Sequence, residues 1–155
     1  MNLVSKVQRC IDAGQISVSD NLSFMYNCHC ASLFGKVYHK SIQRGGIAHY
    51  PSRNDSAPMG IWFPKFFPND QWDNKVLQSG AVILECSKTD PLGHLHWQIT
   101  ENYQHHVVFG CYRKTSGDVY YKFMGVYTLD VAGSIDGVAR WVRISESIKC
   151  HTPEC

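Results

Sequence analysis

The stretch HHVVFGCYRKTSGDVYYKFMGVYTLD, residues 105–130, decides the fold. Two runs rich in β-branched and aromatic residues flank Thr115, Ser116 and Gly117, a short link whose glycine suits a tight reversal, and this pattern predicts a β-hairpin. Period-two alternation divides the second run into two faces. Val119, Tyr121, Phe123, Gly125, Tyr127 and Leu129 form the expected core face, with Tyr120, Lys122, Met124, Val126 and Thr128 on the other. A glycine in mid-strand, as Gly125 would be, costs stability unless it marks a bulge or the close approach of another backbone.

On either side of the hairpin the strand character continues. AVILEC (81–86) and HLHWQIT (94–100) read as strands joined by the turn SKTDPLG, and VARWVRIS (138–145) reads as another after the turn GSIDG. In that last strand Arg140, Val142 and Ile144 point one way and Trp141, Arg143 and Ser145 the other. Five or more strands with little room for crossover helices predict an α+β fold: a curved, mainly antiparallel sheet or small barrel with an N-terminal helix. The helix is expected over 2–13, where Leu3, Val4, Val7, Cys10 and Ile11 recur at helical spacing before Gly14. SLFGKVYHKSIQ suits a strand or a short helix, and the glycines and prolines of GGIAHYPSRNDSAPMG predict a long exposed loop. One domain over 1–155 is expected, with the helix at 2–13, a strand-rich core over about 34–146 and a short C-terminal tail.

Bulk properties agree. A chain of 155 residues and 17.6 kDa suffices for one hydrophobic core without metal or disulfide staples. The seven cysteines are odd in number and several lie in apolar runs, so they are expected as buried small hydrophobes or free thiols in a reducing compartment. No apolar run approaches the ~20 residues of a membrane span, and the N-terminus lacks a signal-peptide core. The expected location is therefore intracellular, cytoplasmic or nuclear, without membrane contact. With 15 basic against 13 acidic residues the formal charge is only +2. Any nucleic acid must then be gripped by a local basic face.

GIWFPKFFPNDQWDN, residues 60–74, holds five aromatic rings between prolines and has no regular period. Such a segment can plug the end of a barrel with its rings as core. It also has the parts needed to hold a planar heteroaromatic ring, since Trp72 offers a flat face, Asp73 an acceptor, and Asn74 an amide with donors and acceptors. Reading a base outside its stack requires ring faces and hydrogen bonds to the base edge. An acidic acceptor suits the exocyclic amine of cytosine.

FGKVYHKS, then GIWFP, then WDN followed by G-x-V-I-L, then HHVVFGCYRK and YYKFMGVYTLD, together resemble bacterial SRA-like and other PUA-like domains in order across residues 34–130. The glycine-rich loop of YDG-type SRA domains has no counterpart. The resemblance implies a noncatalytic nucleic-acid reader, DNA before RNA, that recognises a modified or flipped base. It further implies that Trp62, Phe63, Trp72, Asp73 and Asn74 line the pocket and that Tyr112, Arg113 and Lys114 reach the backbone. Lys40, Arg44 and Arg53, interleaved with aromatic residues in and before the turn-rich loop, are the further phosphate-binding candidates.

Other chemistries are thinner. His94 and His96 share a face if 94–100 is a strand, yet zinc needs further ligands from Cys28, His29 and Cys30 or from Cys150, His151 and Cys155, and no C-x2-C pair is present. No metal and no cofactor are expected. A second reading resembles ADP-ribosyl transferases, using NAD with His39 on the ribose, Phe63 stacked on nicotinamide and Glu85 as the acid. A third is a protein-interaction module whose exposed aromatic loop docks a partner.

Overall fold

A computed structural model describes residues 3–42, 48–50 and 59–153. In chain order it contains α1 (Ser5–Ala13), β1 (Gln15–Ser17), β2 (Ser23–Phe24), α2 (Asn27–Ala31), β3 (Ala48–Tyr50), β4 (Met59–Trp62), β5 (Lys75–Leu77), β6 (Val82–Cys86), α3 (Pro91–Thr100), β7 (His105–Arg113), β8 (Val119–Leu129), β9 (Val138–Ser145) and β10 (Ser147–Lys149). The main sheet runs β3-β4-β7-β8-β9-β6-β5, with β2 also paired to β8. Every pairing is antiparallel except β4 with β7. It ends at β3 and β5 and forms no closed barrel among the described residues. A separate pair, β1 with β10, ties the two ends of the described chain together.

The β7–β8 hairpin is the spine. Gly117 takes φ 95° at its tip, and the turn closes with Lys114 N donating to Asp118 O at 2.7 Å. Gly125 takes φ 120°. A β-carbon there would lie 2.5 Å from the Ser145 carbonyl, so glycine is required by both the backbone angle and the close approach of β9. Register shifts accompany it, between Val108 and Phe109 against β8 and between Val126 and Tyr127 against β9.

The shifts change the face pattern expected for β8. Tyr121 and Phe123 pack on one side of the sheet with Val107 and Phe109, whereas Tyr127 and Leu129 pack on the other with Val108. A bulge adds one residue and so reverses the alternation downstream of it. Both faces are consequently buried. The first is covered by α1 through Val7 and Ile11, by α2 through Cys30 and Ala31, and by Leu33 and Phe34 just after α2, and the second gathers Ile83, Ala139 and Trp141 beneath Leu95 of α3.

Residues 94–100 are helical, correcting the expectation of a strand. Asp90 caps the helix by accepting from Gly93 N, and Pro91 occupies the first turn. The residues read as a turn are thus a helix start. His94 and His96 accordingly do not share a face: two helical residues lie about 200° apart, and His96 is exposed while His94 is half-buried. The N-terminal helix begins at Ser5, later than expected, and stops where expected, with Gly14 in the left-handed region at φ 84°. Most of the turn-rich segment lies outside the described residues, although 48–50 form β3. The described cysteines are all unpaired, and burial pushes the Cys30 thiol well up, consistent with an inert core residue.

Candidate functional site

α3 does not cover the second face completely. Between it, the 69–74 segment and the sheet lies a cavity of about 680 Å³, within the ~300–1,000 Å³ range of small-ligand pockets. Its rings are Trp62, Trp72, Trp97 and Tyr103, and its polar groups include Glu85, Ser87, His94, Gln98, Asn102 and His106.

The wall bearing Trp72 is held by its own backbone. Asn69 Oδ1 accepts from the N–H of Gln71 at 3.0 Å and of Trp72 at 2.8 Å, an Asx turn that orders an aperiodic segment. Asp73 N donates to Cys86 O and Lys88 N to Gln71 O, both at 2.9 Å. Lys88 Nζ donates to the Asn69 carbonyl at 2.6 Å. The Trp72 indole meets the His94 ring edge-on at 4.7 Å, and Trp97 lies 5.8 Å beyond His94. Trp62, at the end of β4, tilts against Trp141 at 5.4 Å.

Glu85 is the charged centre of the site. Only 3% of the residue is exposed. Its Oε1 accepts from Gln98 Nε2 at 2.8 Å and Trp141 Nε1 at 3.0 Å, and its Oε2 faces His94 Nε2 at 3.1 Å. Asn102 Nδ2 donates to Gln98 Oε1 at 2.7 Å, which fixes the orientation of the Gln98 amide. A carboxylate has about four acceptor positions. Gln98 and Trp141 fill Oε1, so the capacity left for a further donor lies on Oε2, beside His94.

His106 lies on β7 beside Gly60 of β4, with 6% of the residue exposed. Burial, with a smaller contribution from the neighbouring His105, pushes its pKa down to about 3, so the ring is neutral at pH 7. Its Nδ1 is enclosed and has no hydrogen-bond partner among the described residues. The rings of Trp62 and Trp141 stand at steep angles to it, at 6.1 and 5.0 Å.

The sequence-based candidates are dispersed by this geometry. Trp62 and Trp72 line the cavity, but Phe63 does not. It packs on the opposite face of the sheet, against Phe109 and Tyr121, because consecutive residues of an extended chain point to opposite sides. Asp73 is exposed and away from the cavity lining. Asn74 donates from Nδ2 to Lys65 O at 3.2 Å, and its Oδ1 is enclosed outside the lining. Tyr112, Arg113 and Lys114 lie at the far end of β7 and in the following turn. Tyr112 stacks on Tyr120 at 5.6 Å, the Arg113 guanidinium lies 4.2 Å from the Phe67 ring centre, and Lys114 is exposed. Lys40 is exposed after α2, and Arg44 and Arg53 lie outside the described residues.

The transferase constellation is not assembled. Phe63 belongs to the first-face core, His39 is exposed beside Tyr38 of that same core, and Glu85 opens on the second face. No group of three or more metal-ligating side chains occurs among the described residues. Reading 94–100 as a strand concealed His94, Trp97 and Gln98. The Asp-Pro start and the helical spacing of Leu95, Gln98 and Ile99 were the signal that would have put His94 and Gln98 on one side. His106 carried no local signal, since its role comes from strand pairing.

A family model described as the SET and RING associated (SRA) domain matches residues 9–150. Among solved structures, the 5-hydroxymethylcytosine-specific restriction enzyme AbaSI is similar, with 30% sequence identity and a TM-score of 0.82, over 99% of this chain and 49% of that one. The chain thus spans about half the length of that enzyme. No curated protein matches it.

Proposed function

Since the chain belongs to the SRA domain family, we propose that it reads a modified cytosine in DNA, taking the base out of the duplex into the cavity beneath Trp62 and Trp72. The observation that carries this reading is the pairing of ring walls with a buried carboxylate already held in place. Oε2 of Glu85 keeps acceptor capacity, beside His94, in a pocket walled by indoles. Cytosine presents its exocyclic amine as a donor where thymine presents an oxygen, so a carboxylate held ready there favours cytosine. The buried network costs no reorganisation when the base arrives, because Trp141, Gln98 and His94 already hold the carboxylate. Glu85 replaces Asp73 as the edge-reading acid. The 5-hydroxymethylcytosine named for the similar enzyme is the first modification to test.

The phosphate contacts of this reading come from Arg113 and Lys114, with Lys40, Arg44 and Arg53 as further candidates. Arg113 and Lys114 are exposed and form no ion pair among the described residues.

The test is binding to duplexes that carry one central 5-hydroxymethylcytosine, cytosine or thymine. The modified duplex should bind tightest. Trp72→Ala should weaken that complex roughly tenfold or more, as one lost base–ring stack of ~1–3 kcal/mol implies, while the melting temperature stays near that of the parent. Equal binding of all three duplexes would end the proposal.

A further inference from the structure

Glu85 does not meet the cavity alone. Its Oε1 is occupied by Trp141 and Gln98, and the oxygen that remains, Oε2, has His94 Nε2 at 3.1 Å. The imidazole hydrogen sits on that nitrogen, because the other neutral tautomer would turn two lone pairs towards each other across the same 3.1 Å. Gln98 Nε2 comes within 3.2 Å of His94 Nε2 but has Glu85 Oε1 as a closer acceptor at 2.8 Å. The His94 ring is itself held in place, edge-on to Trp72 at 4.7 Å and 5.8 Å from Trp97, and all three line the cavity with Glu85. An N–H donor and a carboxylate acceptor thus stand side by side in the cavity wall.

Cytosine arranges the opposite pair in the same way. Its amine is borne by the ring carbon next to N3, so one edge of the base shows a donor and an acceptor on neighbouring positions. We propose that His94 reads N3 of the base whose amine meets Glu85, sharing its Nε2–H between Oε2 and N3. This rests on the base-reading function above. Such three-centre bonds are an ordinary form of protein hydrogen bond. Oε2 keeps its second acceptor position for the amine, and Glu85 stays where Trp141 and Gln98 hold it. Thymine fails at both points. Its N3 carries a hydrogen that meets the His94 N–H, and its O4 meets the carboxylate. A wrong guest that leaves polar groups of the site unpaired is rejected more strongly than one that merely fits badly.

The test uses duplexes with one central 5-hydroxymethylcytosine, its 3-deaza analogue, in which C–H replaces N3, or thymine. Each stands opposite an abasic position, so that none has a pair to break. Wild type should bind 5-hydroxymethylcytosine roughly tenfold tighter than the analogue, the size of one lost hydrogen bond in a buried site. His94→Phe keeps a ring between Trp72 and Trp97 but has no N–H. It should bring that ratio close to one while still binding both above thymine, and His94→Leu serves the same comparison should the Phe variant not fold. Equal binding of 5-hydroxymethylcytosine and the analogue by wild type, with thymine weaker, would overturn the assignment of His94 and leave base reading standing. A ratio that survives in the variant gives N3 to the Gln98 amide and overturns it as well. If wild type does not separate 5-hydroxymethylcytosine from thymine, base reading itself fails.

Discussion

At the residue scale, the burial of His106 ties stability to pH. His106 is held neutral by burial down to about pH 3, whereas the unfolded ring titrates near 6.5. Between those values the unfolded chain binds a proton that the folded one refuses. The contribution is thus fully present above about pH 6.5 and is lost as pH falls towards 3. Urea midpoints measured at pH 7.5 and 4.5 should therefore differ, and His106→Gln should shrink the difference. Glu85 matters as a hydrogen-bond partner: Glu85→Ala strands the buried donors of Trp141 and Gln98 and should cost about 1–3 kcal/mol in denaturant unfolding. Glu85 could be named from sequence as an acid ending a strand, and Trp62 and Trp72 as rings with something to hold. The partners of Glu85 could not, because Trp141 is 56 residues away and becomes a donor only through the β6–β9 pairing.

At the element scale, α3 decides whether there is a site. It carries His94, Trp97 and Gln98, and Asp90 starts it. Asp90→Ala should lower stability by about 1 kcal/mol, the usual cost of a lost N-cap, and should weaken modified-DNA binding more than a surface substitution of equal thermal effect. Melting curves and titrations of the same variant check both parts. The hairpin, the β9 strand and the Gly14 stop were legible because each rests on local pattern. α3 was not, since His-Leu-His-Trp-Gln-Ile alternates as a strand would and only the Asp-Pro preceding it argues otherwise. The split allegiance of β8 was likewise hidden. Gly125 signalled a bulge, but a bulge does not announce that residues beyond it change sides.

At the scale of the whole molecule, the weak net charge of +2 makes local cations decisive for DNA. Arg113 and Lys114 lie at the tip end of the hairpin, outside the cavity lining. If they meet phosphates, replacing both with alanine should lower the slope of log affinity against log salt by about 1.8, counting ~0.9 for each lost contact on duplex DNA. Preference among bases should be untouched. The two-faced sheet has one more consequence. Val107 and Phe109 pack one side of β7 while His106 lines the cavity on the other, so core packing and cavity lining fall on interleaved positions of the same strand. A scaffold divided in that manner can be retargeted. Libraries randomised at Trp97, Asn102 and Tyr103 should yield mostly folded members with altered tastes, because the far side of the sheet never learns of the change.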